Sequence, residues 1–213
     1  MYIPASFREE RLSELHALML EHPLALLVTH GAEGLVASPV PFLLYPDEGE
    51  HGTLRAHVAR ANPHWKALAA ATDCLVVFQG AQAYVTPSWY ASKRTTHKVV
   101  PTWNYETVHA RGAPAVRDEP AWLARQLHDL TTLQEKRRPR PWAVDDAPPD
   151  FVAMQMRAIV GIEIPIASIE GKSKMSQNRD EADRRGVVEG LRDADDPHRD
   201  ERVADRIERR GAR

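Results

Sequence analysis

The segment Thr86 to Tyr105, TPSWYASKRTTHKVVPTWNY, sets Trp89, Tyr90, Trp103 and Tyr105 among Lys93, Arg94, His97 and Lys98. Flat apolar rings beside fixed cations suit a planar, conjugated, anionic ligand, because rings stack on rings and cations meet phosphate. Ser88, Thr102 and Asn104 add neutral donors and acceptors that can read the polar edge of a ring system. Lys98, just before Val99-Val100-Pro101, is placed to approach such a ligand from the end of a strand. Five of the chain's fourteen Phe, Trp and Tyr residues lie between Tyr84 and Tyr105, so the rings are concentrated where the cations are. Core aromatics with solvated lysines would have the same composition, and the segment alone does not separate the two.

Two further clusters carry polar chemistry. HVARANPHWK, His57 to Lys66, reads as a strand-to-helix junction with Asn62 as cap and Pro63 at the first helical position. Free amides there, with His57, Arg60 and His64 close by, would make an anion site; a plain cap with surface charges is the alternative. His57 and His64 are seven residues apart with no third ligand implied, so no metal is expected. GKSKMSQN, Gly171 to Asn178, puts Lys172, Lys174 and Gln177 in a polar clamp. The chain has no GxSxG, CxxC, HExxH, GxGxxG or GxxxxGK[ST] motif, so no catalytic residue is assigned.

The elements that must position these clusters follow from periodicity and punctuation. Ser6, with Glu9 three residues on, predicts a capped amphipathic helix over 7–22. Leu24 to His30 and Leu35 to Leu44 read as a hairpin around Gly31-Ala-Glu-Gly34, followed by a strand at Thr53 to Val58 and a helix to about Ala71. Cys74 to Phe78 and Ala81 to Thr86 read as a second hairpin around Gln79-Gly80. Thr102 to Val116 is a long strand bent near Gly112. A helix opens at Asp118 and Pro120, residues 136–149 are a Pro-rich connection, and 150–157 form a short helix. Ala158 to Ile169 is the last strand, with Pro165 marking an edge or a bend. Six or so strands with interspersed helices give a mainly β, α+β chain: an antiparallel barrel-like sheet with helices outside.

Composition bounds the rest. With 213 residues, 43% of them hydrophobic, the chain is one domain or one domain plus an appendage. The net charge of −2 supplies no field for holding nucleic acid. Cys74, the single cysteine, sits in an apolar run and reads as a buried, inert thiol. No run reaches the ~20 apolar residues of a membrane span, and a soluble cytoplasmic protein is expected. From Arg179 on, ten Arg stand against eleven Asp and Glu in thirty-five residues. With almost nothing to bury, the part past about Arg192 reads as mobile or as a solvated helix. The expected division is therefore a domain over 1–178 and a charged extension over 179–213.

The opening MYIP, then HVARANPHW, YVTPSWY with KVVPTWNY, AIVGIEI, GKSKMSQN and DRRGV, in that order, resemble the PaiB-like FMN-binding negative transcriptional regulator family. The resemblance covers Met1 to about Leu191, with TPSWY–KVVPTWNY its most specific part. It implies an FMN-binding split β-barrel that forms homodimers with flavin at the subunit interface. By motif position, the His57–His64 junction (His57, Arg60, Asn62, His64) would hold the phosphate. Ser88, Trp89, Tyr90, Lys98, Thr102, Trp103 and Asn104 would flank the isoalloxazine and ribityl chain, and Lys172, Lys174 and Gln177 would reach the flavin from the partner subunit. Ser173 departs from the pattern, which leads one to expect an aromatic residue between the two lysines. The family label implies transcriptional repression, with any DNA association indirect or weak because the sequence shows no helix-turn-helix or basic recognition helix. The alternative is an FMN-dependent oxidoreductase working with NAD(P)H or a small molecule.

Overall fold

The computed structural model describes residues 1–31 and 34–211. The strands are β1 Arg8–Glu9, β2 Leu24–Gly31, β3 Gly34–Pro41, β4 Leu43–Tyr45, β5 Thr53–Ala59, β6 Cys74–Val85, β7 Thr102–Gly112, β8 Ala115–Arg117, β9 Ile159–Pro165 and β10 Ser168–Lys174. The helices are α1 Leu12–Glu21, α2 His64–Ala70, α3 Lys93–Thr96, α4 Pro120–Glu135, α5 Pro149–Arg157, α6 Glu181–Arg192 and α7 Glu201–Gly211. These elements make an α+β molecule, and every pairing whose register is described is antiparallel.

The chain divides into two compact units, Met1–Leu18 with Gln79–Val108 and Glu170–Arg213, and Met19–Phe78 with His109–Ile169. Strands β6 and β7 run through both. In the first unit the strand order is β1-β10-β7-β6. Its core is built by Ala81, Ala83 and Val85 of β6, Tyr90, Met175, and Val187, Val188 and Leu191 of α6, closed by Val203, Ala204 and Ile207 of α7. In the second unit β6-β2-β3 are neighbours, and a four-stranded sheet has the order β4-β5-β9-β8. Alternation explains the burial: Ala25, Leu27 and Thr29 of β2 point inward, while Leu24 and Leu26 point to solvent.

Several sequence expectations change. The predicted helix over 7–22 begins only at Leu12, because Ala5–Phe7 form a 3-10 turn and Arg8 and Glu9 pair with Lys172 and Gly171 of β10. The hairpin around Gln79-Gly80 does not exist; β6 is continuous. Gly80 marks a close approach, since a Cβ there would lie 3.1 Å from both Glu106 Cβ and Leu18 Cδ1. The strand predicted over Thr102 to Val116 is two: β7 ends at Gly112, where a Cβ would overlap the Pro165 carbonyl, and β8 follows at Ala115–Arg117 in the other sheet. The last predicted strand is two, β9 and β10. Pro165 terminates β9, which is paired on both sides and is no edge. Gly171 to Lys174 therefore lie in a strand, and not after one. The hairpin of β2 and β3 is present, but residues 32 and 33 of its turn lie outside the described residues.

The segment past Arg192 also differs from expectation. The three apolar residues of α7, Val203, Ala204 and Ile207, fall on one face and are almost fully buried. Three residues at i, i+1 and i+4 suffice to bury one helix face. Arg206 and Arg210, from the same helix, reach the buried carboxylates of Glu106 (3.2 Å) and Glu9 (2.7 Å).

Candidate functional site

In the first unit, strand alternation sorts the ring-bearing residues by face. Trp103 and Tyr105 share one side of β7, while Asn104 and Glu106 point the other way into the core. Trp103 is 48% exposed yet fixed: its indole Nε1 donates to Gln82 Oε1 at 3.1 Å, and its ring meets Tyr84 edge-on at 6.0 Å. An indole held in this way keeps part of its ring open to solvent, where a flat ring could stack. Lys172 Nζ stands 5.0 Å from the Tyr105 ring centre and 5.7 Å from that of Tyr2.

The lysines converge with one arginine. Lys174 donates to Thr102 Oγ1. Burial, followed by the nearby charges of Lys172 and Arg179, pushes the Lys174 ammonium below the ordinary lysine range. Arg179 lies over the Tyr90 ring at 4.4 Å. Among the described residues none of these three cations pairs with a carboxylate. The turn that follows β10 is locally locked. Ser176 takes a left-handed φ of 61° and accepts from Asn104 Nδ2 at 2.9 Å. Gln177 accepts from the Met175 amide at 2.6 Å and donates to Ser173 O. Ser173 itself is buried and donates to Glu106 Oε1 at 2.8 Å.

The loop before β7 turns at Thr86, whose hydroxyl accepts from the Ser88 amide at 3.2 Å. Trp89 is half-buried, with Nε1 donating to Asp196 Oδ2 at 3.2 Å. Tyr90 is buried in the core. The four-residue α3 ends on His97, whose φ of 54° reverses the chain and leaves Lys98 exposed. Lys93 Nζ reaches Ser88 Oγ at 3.2 Å.

The other predicted cluster belongs to the second unit. His57 Nδ1 donates to Gln126 Oε1 at 2.8 Å. Asn62 Oδ1 accepts the amide of His64, the first residue of α2, at 3.0 Å. His64 is buried, with its ring nitrogens 2.9 Å from Ser38 Oγ and 3.0 Å from Thr29 Oγ1, and burial pushes its pKa down. Arg60 pairs with Asp118 and also donates to the carbonyls of Arg157 and Ile159 at 2.9 Å. Internal partners thus occupy the polar groups at this junction. Sequence reasoning missed Gln82, Arg179, Asp183 and His198. Arg179 directly follows the lysine cluster, and a glycine pair four apart, Gly186 and Gly190, was the visible sign of close packing in the tail.

With this geometry in hand, comparison with known proteins identifies the class. The family described as "Putative FMN-binding domain" matches residues 1–168, and the chain belongs to it. The chain is 32% identical over 198 residues to "Protease synthase and sporulation protein PAI 2" of Bacillus subtilis, covering 93% of this chain and 92% of that protein. Among solved structures it is similar to the flavocytochrome Anf3 of Azotobacter vinelandii, with a TM-score of 0.55, 17% identity and coverage of 78% and 69% of the two chains. The FAD and heme binding protein of Mycobacterium smegmatis gives a TM-score of 0.54, 17% identity and coverage of 78% and 73%. At such identity the likeness concerns the fold, an α+β split barrel of antiparallel sheets. Among the described residues no helix is long and apolar enough to cross a membrane.

Proposed function

We propose that this is a cytoplasmic protein that binds FMN through its first unit and acts in regulation, with the flavin as bound cofactor. The observation that carries the reading is the cluster of Lys172, Lys174 and Arg179, without acidic partners among the described residues, in the same unit as the fixed, half-exposed Trp103. Gathering like charges costs free energy unless an anion joins them, and the Lys174 ammonium is depressed first by burial and then by the charges of Lys172 and Arg179. An anionic planar ring system answers both the cations and the indole. Lys98, Ser88 and Thr102 would hold further polar atoms of such a ligand, while Tyr90 and Asn104 support the wall from the core side. Family membership supports FMN as the flavin. Bound FMN would supply a redox-active ring, and the residues of this chain bind and orient it.

The phosphate reading of the 57–64 junction draws less support, because Arg60 is already taken by Asp118 and two carbonyls. Similarity to the Bacillus relative, whose printed name ties that protein to protease synthase and sporulation, is in keeping with a regulatory role. A net charge of −2 supports an indirect route rather than operator binding.

We also propose a homodimer. On one face of β2 and β3, Leu24 lies opposite Pro41, Leu26 opposite Pro39 and His30 opposite Leu35. Leu24, Leu26 and Leu35 are 65%, 41% and 77% exposed. Apart from His30 this face is apolar, and among the described residues it carries no Lys, Arg, Asp or Glu, so an identical face can meet it without like-charge repulsion.

The decisive measurement is the absorbance and fluorescence of purified protein before and after adding FMN. A saturable, quenched flavin signal is expected. Absence of saturable binding by the wild type would overturn the reading.

A further inference from the structure

The family match ends at residue 168, but the ring-bearing segment is held by residues well beyond it. Asp183, 2% exposed on α6, accepts from the Ser92 amide at 2.8 Å and from Ser92 Oγ at 2.7 Å. The Trp89 ring occupies the space a Cβ at Gly190 would need, and the Trp89 carbonyl fills the same space at Gly186. Asp196 accepts from the Trp89 indole at 3.2 Å, and His198 lies 4.7 Å from the Tyr84 ring. Arg179 covers Tyr90.

These contacts compensate for a local weakness. The cations Lys93, Arg94 and Lys98 sit on and just after α3, which is four residues long and buries nothing. A helix that short has no stability of its own. Its placement depends on its two ends, and Asp183 grips the start through both donors of Ser92. Against the turn before α3, Gly190 lets the Trp89 indole, and Gly186 the Trp89 carbonyl, lie directly against α6. Side chains there would push Trp89 away.

We infer that Asp183 and Gly190 of α6 are positioning residues for the segment Trp89–Lys98, so that ligand affinity in this chain is set partly from α6. This rests on the flavin reading given above, and two readouts separate them. FMN affinity is measured by fluorescence titration of the wild type, Asp183→Ala, Asp183→Asn, Gly190→Val and Arg185→Ala. The last alters only an exposed pair with Glu189 within α6. Amide hydrogen exchange over 91–98 is followed in the same proteins without flavin.

Asp183→Ala should bind FMN about tenfold more weakly, the scale of a lost charge-assisted hydrogen bond. Asp183→Asn keeps one acceptor and should fall between it and the wild type. Gly190→Val should bind more weakly and quench the bound flavin less, and exchange over 91–98 should quicken in Asp183→Ala. Arg185→Ala should match the wild type. Wild-type affinity and exchange in both Asp183→Ala and Gly190→Val would overturn the inference. A wild type that binds no FMN overturns the flavin reading and the affinity claim with it, while exchange still decides whether Asp183 holds the segment. If Asp183→Ala does not fold, Asp183→Asn carries the same comparison.

Discussion

At the residue scale, Lys174 and Trp103 are the proposed contacts of the flavin site, one for charge and the other for a ring face. Lys174→Ala and Trp103→Ala should each weaken FMN binding roughly tenfold, on the order of 1–2 kcal/mol, with far-UV circular dichroism unchanged. The Lys174 pKa already lies below the ordinary lysine range. Affinity should therefore fall as pH rises through the lowered Lys174 pKa and the ammonium loses its proton, at a pH below that of an ordinary lysine, and Lys174→Arg should flatten that profile. A flat wild-type profile would remove Lys174 from the anion site. Cys74 offers a separate check on the core. Its thiol is buried, and burial with the nearby Asp73 pushes it up to about 12. A thiol reagent near pH 8 should label it only after unfolding.

At the element scale, the ends of the chain are tied to the first unit by carboxylate–arginine contacts. Burial alone would raise the Glu9 pKa, but hydrogen bonds from the Arg11 side chain and amide and from Arg210 hold it at about 2, against 4.5 for a free side chain. A carboxylate with a depressed folded pKa contributes stability above its unfolded value and loses it as pH falls through the folded one. The Glu9 contribution is therefore complete above about pH 4.5 and gone below about 2. Glu9→Gln should lower the thermal midpoint at pH 7, and its difference from the wild type should close on acidification. Equal midpoints at neutral pH would mean that Arg210 does not tie α7 to the N-terminal strand.

At the scale of the whole molecule, the apolar face of β2 and β3 and the near-neutral charge underlie the proposed partners. Light scattering should give twice the chain mass, and the double substitution Leu26→Lys with Leu35→Lys should yield monomer by opposing like charges across the pair. A wild-type monomer at micromolar concentration would end the dimer proposal. Gel shifts against random-sequence DNA should show no binding beyond the control, consistent with a net charge of −2.

Local signals were enough for much of this protein. The apolar strand over Leu24 to His30, the Pro120 helix start and the Asn62 cap are decided by near neighbours in the chain, and the motif order from MYIP to GKSKMSQN pointed to the family. What the sequence could not show depends on partners far along it. Gly80 looks like a turn residue until Glu106 and Leu18 are brought against it. Val203, Ala204 and Ile207 look too few to bury until they share one face of α7, and Asp183 looks like one more surface charge until Ser92 is placed beneath it. Burial and hydrogen-bond partnership are properties of the folded chain, so only the tertiary structure turned a charged tail into part of the core around the ring-bearing segment.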